Sequence, residues 1–104
     1  MGNAQSQTGD IVKERVAPEE DEPGLYKVIL INDDYSTMEF VLEVLESVFQ
    51  KSPAEAYRVM MQVHQQGSGV AGVYPWEVAE TKVHTVTKMA KDAGFPLRSV
   101  IEEA

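Results

Sequence analysis

Four side chains of this sequence are suited to chemistry on a charged ligand: Asn32, Asp33 and Asp34, consecutive at the end of an apolar run, and His64 further along. As a catalytic carboxylate pair Asp33 and Asp34 are poorly matched, because neighbours on an extended chain project to opposite sides. General acid–base work needs another partner facing one of them. They are better suited to receive an ammonium group: the Asn carbonyl and the Asp oxygens all accept hydrogen bonds, and an ammonium presents three donors. His64 extends the set, since a neutral imidazole accepts from an amine through its unprotonated nitrogen. A metal site from Asp33, Asp34 and His64 would have one nitrogen ligand and no second ligand at helical spacing, a poor match to transition-metal ligand sets. No metal and no cofactor are therefore expected. The plainer alternatives are a turn, in which Asn and Asp bond their own backbone ahead of a helix, and a structural His beside an apolar face.

These side chains need elements to hold them. Residues 25–31, LYKVILI, are rich in β-branched residues and interrupted only by Lys27, and they read as a largely buried strand. Ser36-Thr-Met-Glu39 has the form of a capping box, with Val41, Val44, Leu45 and Val48 recurring behind it at helical spacing. Ser52-Pro-Ala-Glu55 is a second such box with proline at the first helical position, leading into Ala56, Val59, Met60 and Val63 and stopped by Gly67. GSGVAGVY predicts a glycine-loosened strand with a bulge or a close backbone approach. Pro75 opens a third helix with Ala79, Val83, Val86 and Ala90 as its buried stripe, Gly94 and Pro96 end it, and residues 97–102 return as a last short strand. The predicted fold class is α/β (α+β): a small two-layer sandwich in the order β-α-α-β-α-β, a three-stranded sheet packed on three helices.

Met60 and His64 share a helix face, so one helix presents an apolar wall beside a polar rim. Met38, Val41, Met60, Val63 and Leu97 are ordinary core by composition, yet methionines also form adaptable pocket linings. Such a combination suits a ligand with an apolar body and a charged end. Glu77, Glu80 and Lys82 at the start of the third helix read as a solvated face or as a docking surface, the latter favoured by the neighbouring Trp76.

Composition narrows the partners. With 17 acidic against 9 basic side chains, net charge -8, the chain repels nucleic-acid backbones and anionic membranes. Cys is absent, which removes disulfides, thiolate catalysis and cysteine-based zinc sites. No apolar run approaches the roughly 20 residues of a membrane span. Within 104 residues a single domain, 24–104, is expected behind a polar, acidic and disordered extension, 1–23. That extension lacks the Arg enrichment of a transit peptide and begins MGNAQS, which matches the short N-myristoylation pattern at Gly2.

The stretches YKVILINDDYSTMEFV, VMMQVHQQG and GVYPWEVAETKV, in that order, resemble the ClpS family of bacterial adaptors, and the resemblance covers nearly everything after residue 23. It implies a cytoplasmic, non-enzymatic and monomeric adaptor that binds proteins with bulky hydrophobic N-terminal residues (Phe, Tyr, Trp, Leu) and delivers them to the ClpA unfoldase of the ClpAP protease. Asn32, Asp34 and His64 then correspond to the receptors of the free α-amino group, with Asp33 adjacent. Met38, Val41, Met60, Val63 and Leu97 correspond to the walls around the first side chain, Met38 being the gate against β-branched residues. Glu77, Thr81 and Lys82 correspond to the patch that meets the ClpA N-terminal domain, and the extension to the segment that helps hand substrate to the ClpA pore. The sequence departs from the family at Ser36-Thr37, where Thr-Pro is usual, and at Pro75, where a Thr cap is frequent. A competing function from the same residues is a small amine- or metal-dependent enzyme using Asp33, Asp34 and His64.

Overall fold

The computed structural model describes residues 24–104. The expected extension, residues 1–23, and its Gly2 motif lie outside them. Strand β1 (Leu25–Ile31) is followed by helices α1 (Met38–Ser47) and α2 (Pro53–Gln66), strand β2 (Ser68–Pro75), helix α3 (Trp76–Ala93) and strand β3 (Arg98–Glu103). This is the predicted β-α-α-β-α-β order. The sheet runs β2-β1-β3 with both pairings antiparallel.

Alternation along β1 sorts its side chains between two faces. Tyr26, Val28 and Leu30 join the core formed with Phe40, Val44 and Leu45 of α1, Ala56 and Val59 of α2, and Ala79, Val86 and Ala90 of α3. Ile29, directly opposite Val70 and Val100, lies on the other face of the sheet. The helices thus cover one face, giving two layers. The glycine-loosened strand does contain the expected irregularity: the β1–β2 register shifts between Val28 and Ile29, leaving Ala71 without a partner on β1. Ala71 is fully buried, so the bulge feeds a small side chain into the core. The close approach occurs at Gly72, where a β-carbon would overlap the Tyr74 ring.

The helix starts differ in detail from the sequence reading. Thr37, rather than Ser36, is the N-cap of α1, its hydroxyl accepting from the Phe40 amide at 3.0 Å. Ser36 is engaged elsewhere, so the first capping box does not form. Ser52 does cap α2, accepting from the Glu55 amide at 3.2 Å, but the Glu55 carboxylate pairs with Arg58 at 2.9 Å instead of reaching back. Pro75 ends β2 and occupies the N-cap position of α3 without a side-chain bond; the helix begins at Trp76. Val83 is only partly buried beside Ala79, Val86 and Ala90. The last strand starts one residue after Leu97, which stays in the core. Gly67 and Gly94 end α2 and α3 with φ of 96° and 82°, values that favour glycine.

Lys82 joins the end of α1 to α3. Its ammonium donates to the Val48 carbonyl at 2.6 Å and to Gln50 Oε1 at 3.0 Å, and lies 5.4 Å from the centre of the Tyr74 ring. A cation at a helix C-terminus satisfies an orphan carbonyl and complements the dipole. It also holds the α1–α2 turn, where Gln50 adopts the left-handed φ of 52°.

Candidate functional site

Beyond Ile31 the chain leaves the sheet and must turn into α1, and Asp33 makes that turn. Its Oδ1 accepts from the amides of Tyr35 at 2.8 Å and Ser36 at 2.7 Å, and its Oδ2 accepts from the Ser36 hydroxyl at 2.8 Å. Partial burial pushes the Asp33 carboxyl up, but the bonds from Ser36 and Tyr35, together with the charge of Arg98, outweigh it and hold the group below its ordinary value. The carboxylate therefore stabilises the corner at neutral pH. A depressed native pKa gives stability that is present above the unfolded value, about 3.9, and is lost as pH falls through the native value. Asp33→Asn is accordingly expected to lower the thermal midpoint at pH 7 by roughly 2–5 °C, and the gap from the parent protein should close as the buffer is taken below about pH 4. Melting curves followed by circular dichroism across that range measure it; a gap independent of pH would deny the carboxylate this part.

The neighbouring Asn32 amide donates to the Gly67 carbonyl at 2.9 Å, tying the end of β1 to the C-terminus of α2. This bond brings His64, in the last turn of α2, to the Asn-Asp-Asp corner. Gly69 keeps the start of β2 tight against the same helix, since a β-carbon there would stand 3.0 Å from Val63 Cγ2. The result is an open cavity of about 260 Å³ lined by Asn32, Asp33, Asp34, Ser36 and His64 on the polar side and by Met38, Val41, Met60 and Val63 on the apolar side. It is slightly smaller than the roughly 300–1,000 Å³ of drug-sized ligand pockets, a scale suited to a small group with an apolar part and a polar end.

The structure thus gathers Asn32, Asp33, Asp34, His64, Met38, Val41, Met60 and Val63 around one cavity. Leu97 does not line it and is buried in the core. Among the described residues, no hydrogen bond or ion pair occupies the side chains of Asn32, Asp34 and His64, while Asp33 is consumed by the turn. Ser36 was missed as a lining residue because its spacing to Glu39 fits a cap; its equal spacing from Asp33 is the signal for the turn it actually completes. Glu77 and Thr81 are exposed one helical turn apart on α3, with Lys82 half-buried beside them. This patch is far from the cavity: α1 contributes Met38 and Val41 to the cavity at its start, and Lys82 grips its other end, about 15 Å away for a ten-residue helix. Among the described residues no cluster of three or more His, Cys, Asp or Glu side chains is arranged to hold a metal ion. No described helix is long and apolar enough to cross a membrane.

Comparison with known proteins agrees with this architecture. Residues 21–100 match the model of the family described as ATP-dependent Clp protease adaptor protein ClpS. The ATP-dependent Clp protease adapter protein ClpS of Wolinella succinogenes is 58% identical over 82 residues, covering 79% of this chain and 80% of that protein. The protein of the same name from Desulfatibacillum aliphaticivorans is 54% identical over 94 residues, covering 90% and 89%. Among solved structures, Agrobacterium tumefaciens ClpS2 bound to L-phenylalaninamide superposes with a TM-score of 0.77 at 47% identity, covering 80% of this chain and all of that one. With the matched region spanning both the cavity and the α3 patch, the chain belongs to the ClpS family of Clp protease adaptors.

Proposed function

We propose that the cavity binds the first residue of proteins bearing a bulky hydrophobic N-terminal side chain (Phe, Tyr, Trp or Leu), and that the chain delivers them to the ClpA unfoldase of the ClpAP protease. The observation that carries this reading is the division of the cavity: three unoccupied polar side chains stand over an apolar floor. Asn32, Asp34 and His64 receive the free α-ammonium, Asp33 holds the corner that positions them, and Met38, Val41, Met60 and Val63 enclose the side chain. L-Phenylalaninamide, the molecule bound to the Agrobacterium relative, has this shape, a free amino group beside an aromatic side chain.

Delivery rests on the second surface. Glu77, Thr81 and Lys82 are the contacts for the ClpA N-terminal domain, and the extension 1–23 assists transfer of substrate to the ClpA pore. Separation of the patch from the cavity by the length of α1 allows both to be occupied together. The chain acts by binding without turnover, as a cytoplasmic monomer.

The reading is tested by fluorescence anisotropy with labelled peptides that differ only in the first residue, Phe or Gly, both with free amino ends. Burying a Phe side chain contributes about 1.5–3 kcal/mol, or roughly 10–100-fold in affinity. The Phe peptide should bind that much more tightly. Equal affinities would mean the apolar floor does not receive the side chain.

A further inference from the structure

We propose that Met38 is an oxidation site through which peroxide lowers the affinity of the cavity for apolar N-terminal residues; the functional part of this inference rests on the reading above. Among the described methionines, Met38 combines two properties that the others do not. It lines the cavity and is 44% exposed, whereas Met60 lines it at 3% exposure and Met61 and Met89 are partly buried outside it. Thioether oxidation follows access, so the sulfur at the mouth reacts ahead of the one in the floor.

The position also fixes the consequence. Met38 is the first residue of α1, immediately after the Thr37 cap, so its backbone is held while its side chain projects to the rim. In the reaction a sulfur lone pair attacks one oxygen of hydrogen peroxide, the O–O bond breaks, and the departing hydroxide takes up the proton released by the oxygen transferred to sulfur and leaves as water. Sulfur loses two electrons to the peroxide and becomes a sulfoxide. A flexible apolar wall is thereby replaced by a polar, chiral S=O group. The sulfoxide must shed its water when an apolar side chain closes over it, and the ligand no longer meets an apolar surface there. Because the carboxyl and imidazole groups are untouched, recognition of the amino end persists and affinity falls without vanishing. The lesion is reversible by methionine sulfoxide reductases, one for each epimer.

The test oxidises the full-length protein with a limited dose of hydrogen peroxide, maps the added oxygen by peptide mass spectrometry, and titrates a labelled Phe-start peptide before and after. Met38 should gain oxygen before Met60, Met61 and Met89, and the affinity should drop about tenfold, the scale of replacing one apolar wall of the cavity by a polar one. Treatment with both sulfoxide reductases should restore it. In Met38→Leu, which sets its own starting affinity, the ratio of affinities before and after peroxide should be close to one. Met38 sulfoxide that binds the peptide as well as the untreated protein would overturn the proposal, as would an equal fall in Met38→Leu. Failure of the untreated protein to bind the Phe peptide would instead refute the functional reading, and this proposal with it, whereas weakening confined to the oxidised protein leaves that reading standing.

Discussion

Acetylating the amino end of a Phe-start peptide should reduce its affinity for this protein by roughly 10²–10⁴-fold, the value of two to three hydrogen bonds to a charged group at about 1.5–3 kcal/mol each, discounted for partial exposure. Prior occupancy of the polar groups decides which of them can act on the ligand. Asp33 engages both carboxylate oxygens with Ser36 and Tyr35, whereas Asn32, Asp34 and His64 bring free acceptors to the cavity. An α-ammonium offers three donors to these three residues. An acetylated end offers one amide hydrogen, carries no charge, and adds a methyl group at the polar rim. Desolvating Asp34 against such an end has no compensation, and uncompensated polar groups are the origin of strong discrimination. The same comparison separates the two aspartates. Asp34→Ala should bind the free-amino peptide weakly and respond much less to acetylation, whereas a variant at Asp33 acts through the corner and leaves a large acetylation effect in whatever fraction stays folded. Isothermal titration with both peptides on the parent and the two variants gives the six affinities needed. Equal binding of free and acetylated peptides by the parent would eliminate ammonium recognition.

The fold was legible because its periods are strong. A β-branched run, three apolar stripes at helical spacing and two left-handed glycines mark nearly every element, and glycines in GSGVAGVY mark the bulge that admits Ala71 to the core. The cavity lining was legible in kind, since an amide, two carboxylates and an imidazole stand in the sequence beside apolar residues at helical spacing, and the fold brings them to one cavity. What stayed hidden depended on interactions that local patterns do not encode. Ser36 and Thr37 are both competent caps, and the choice between them was made by Asp33, which captures Ser36 three residues away. Leu97 is as deeply buried as Val41, Met60 and Val63, yet of these four it alone is absent from the cavity lining, a distinction of packing that local patterns do not encode. Lys82 looked like a surface charge beside Glu77 and Glu80, while its ammonium in fact reaches 34 residues back along the chain to cap α1. A long-range bond from a flexible side chain leaves no periodic trace.

The end of the molecule away from the cavity provides the second large effect, one on stability. Gly72→Val should destabilise the fold by about 2–3 kcal/mol, the upper part of the usual cost of overpacking. At Gly72 the space of a side chain is already filled by the Tyr74 ring, which approaches Phe49 with centroids 6.3 Å apart and lies under the Lys82 ammonium. A branched side chain there must expel the tyrosine. Expulsion removes an aromatic pairing and a cation–π interaction together, and it loosens Lys82, which holds Val48 at the end of α1. Urea unfolding of the parent, Gly72→Val, Tyr74→Ala and the double variant forms a cycle that isolates this cause. If Tyr74 is the obstacle, valine at 72 costs much less once the ring has been removed; an unchanged cost would place the damage in the strand backbone instead. Affinity for a Phe-start peptide should remain near the parent value in the folded fraction of Gly72→Val, because Met38 and Val41 line the cavity from the opposite end of α1. A parallel fall in affinity would mean that α1 shifts as a rigid body when its far end is released, and that the aromatic cluster governs the shape of the cavity as well as the stability of the fold.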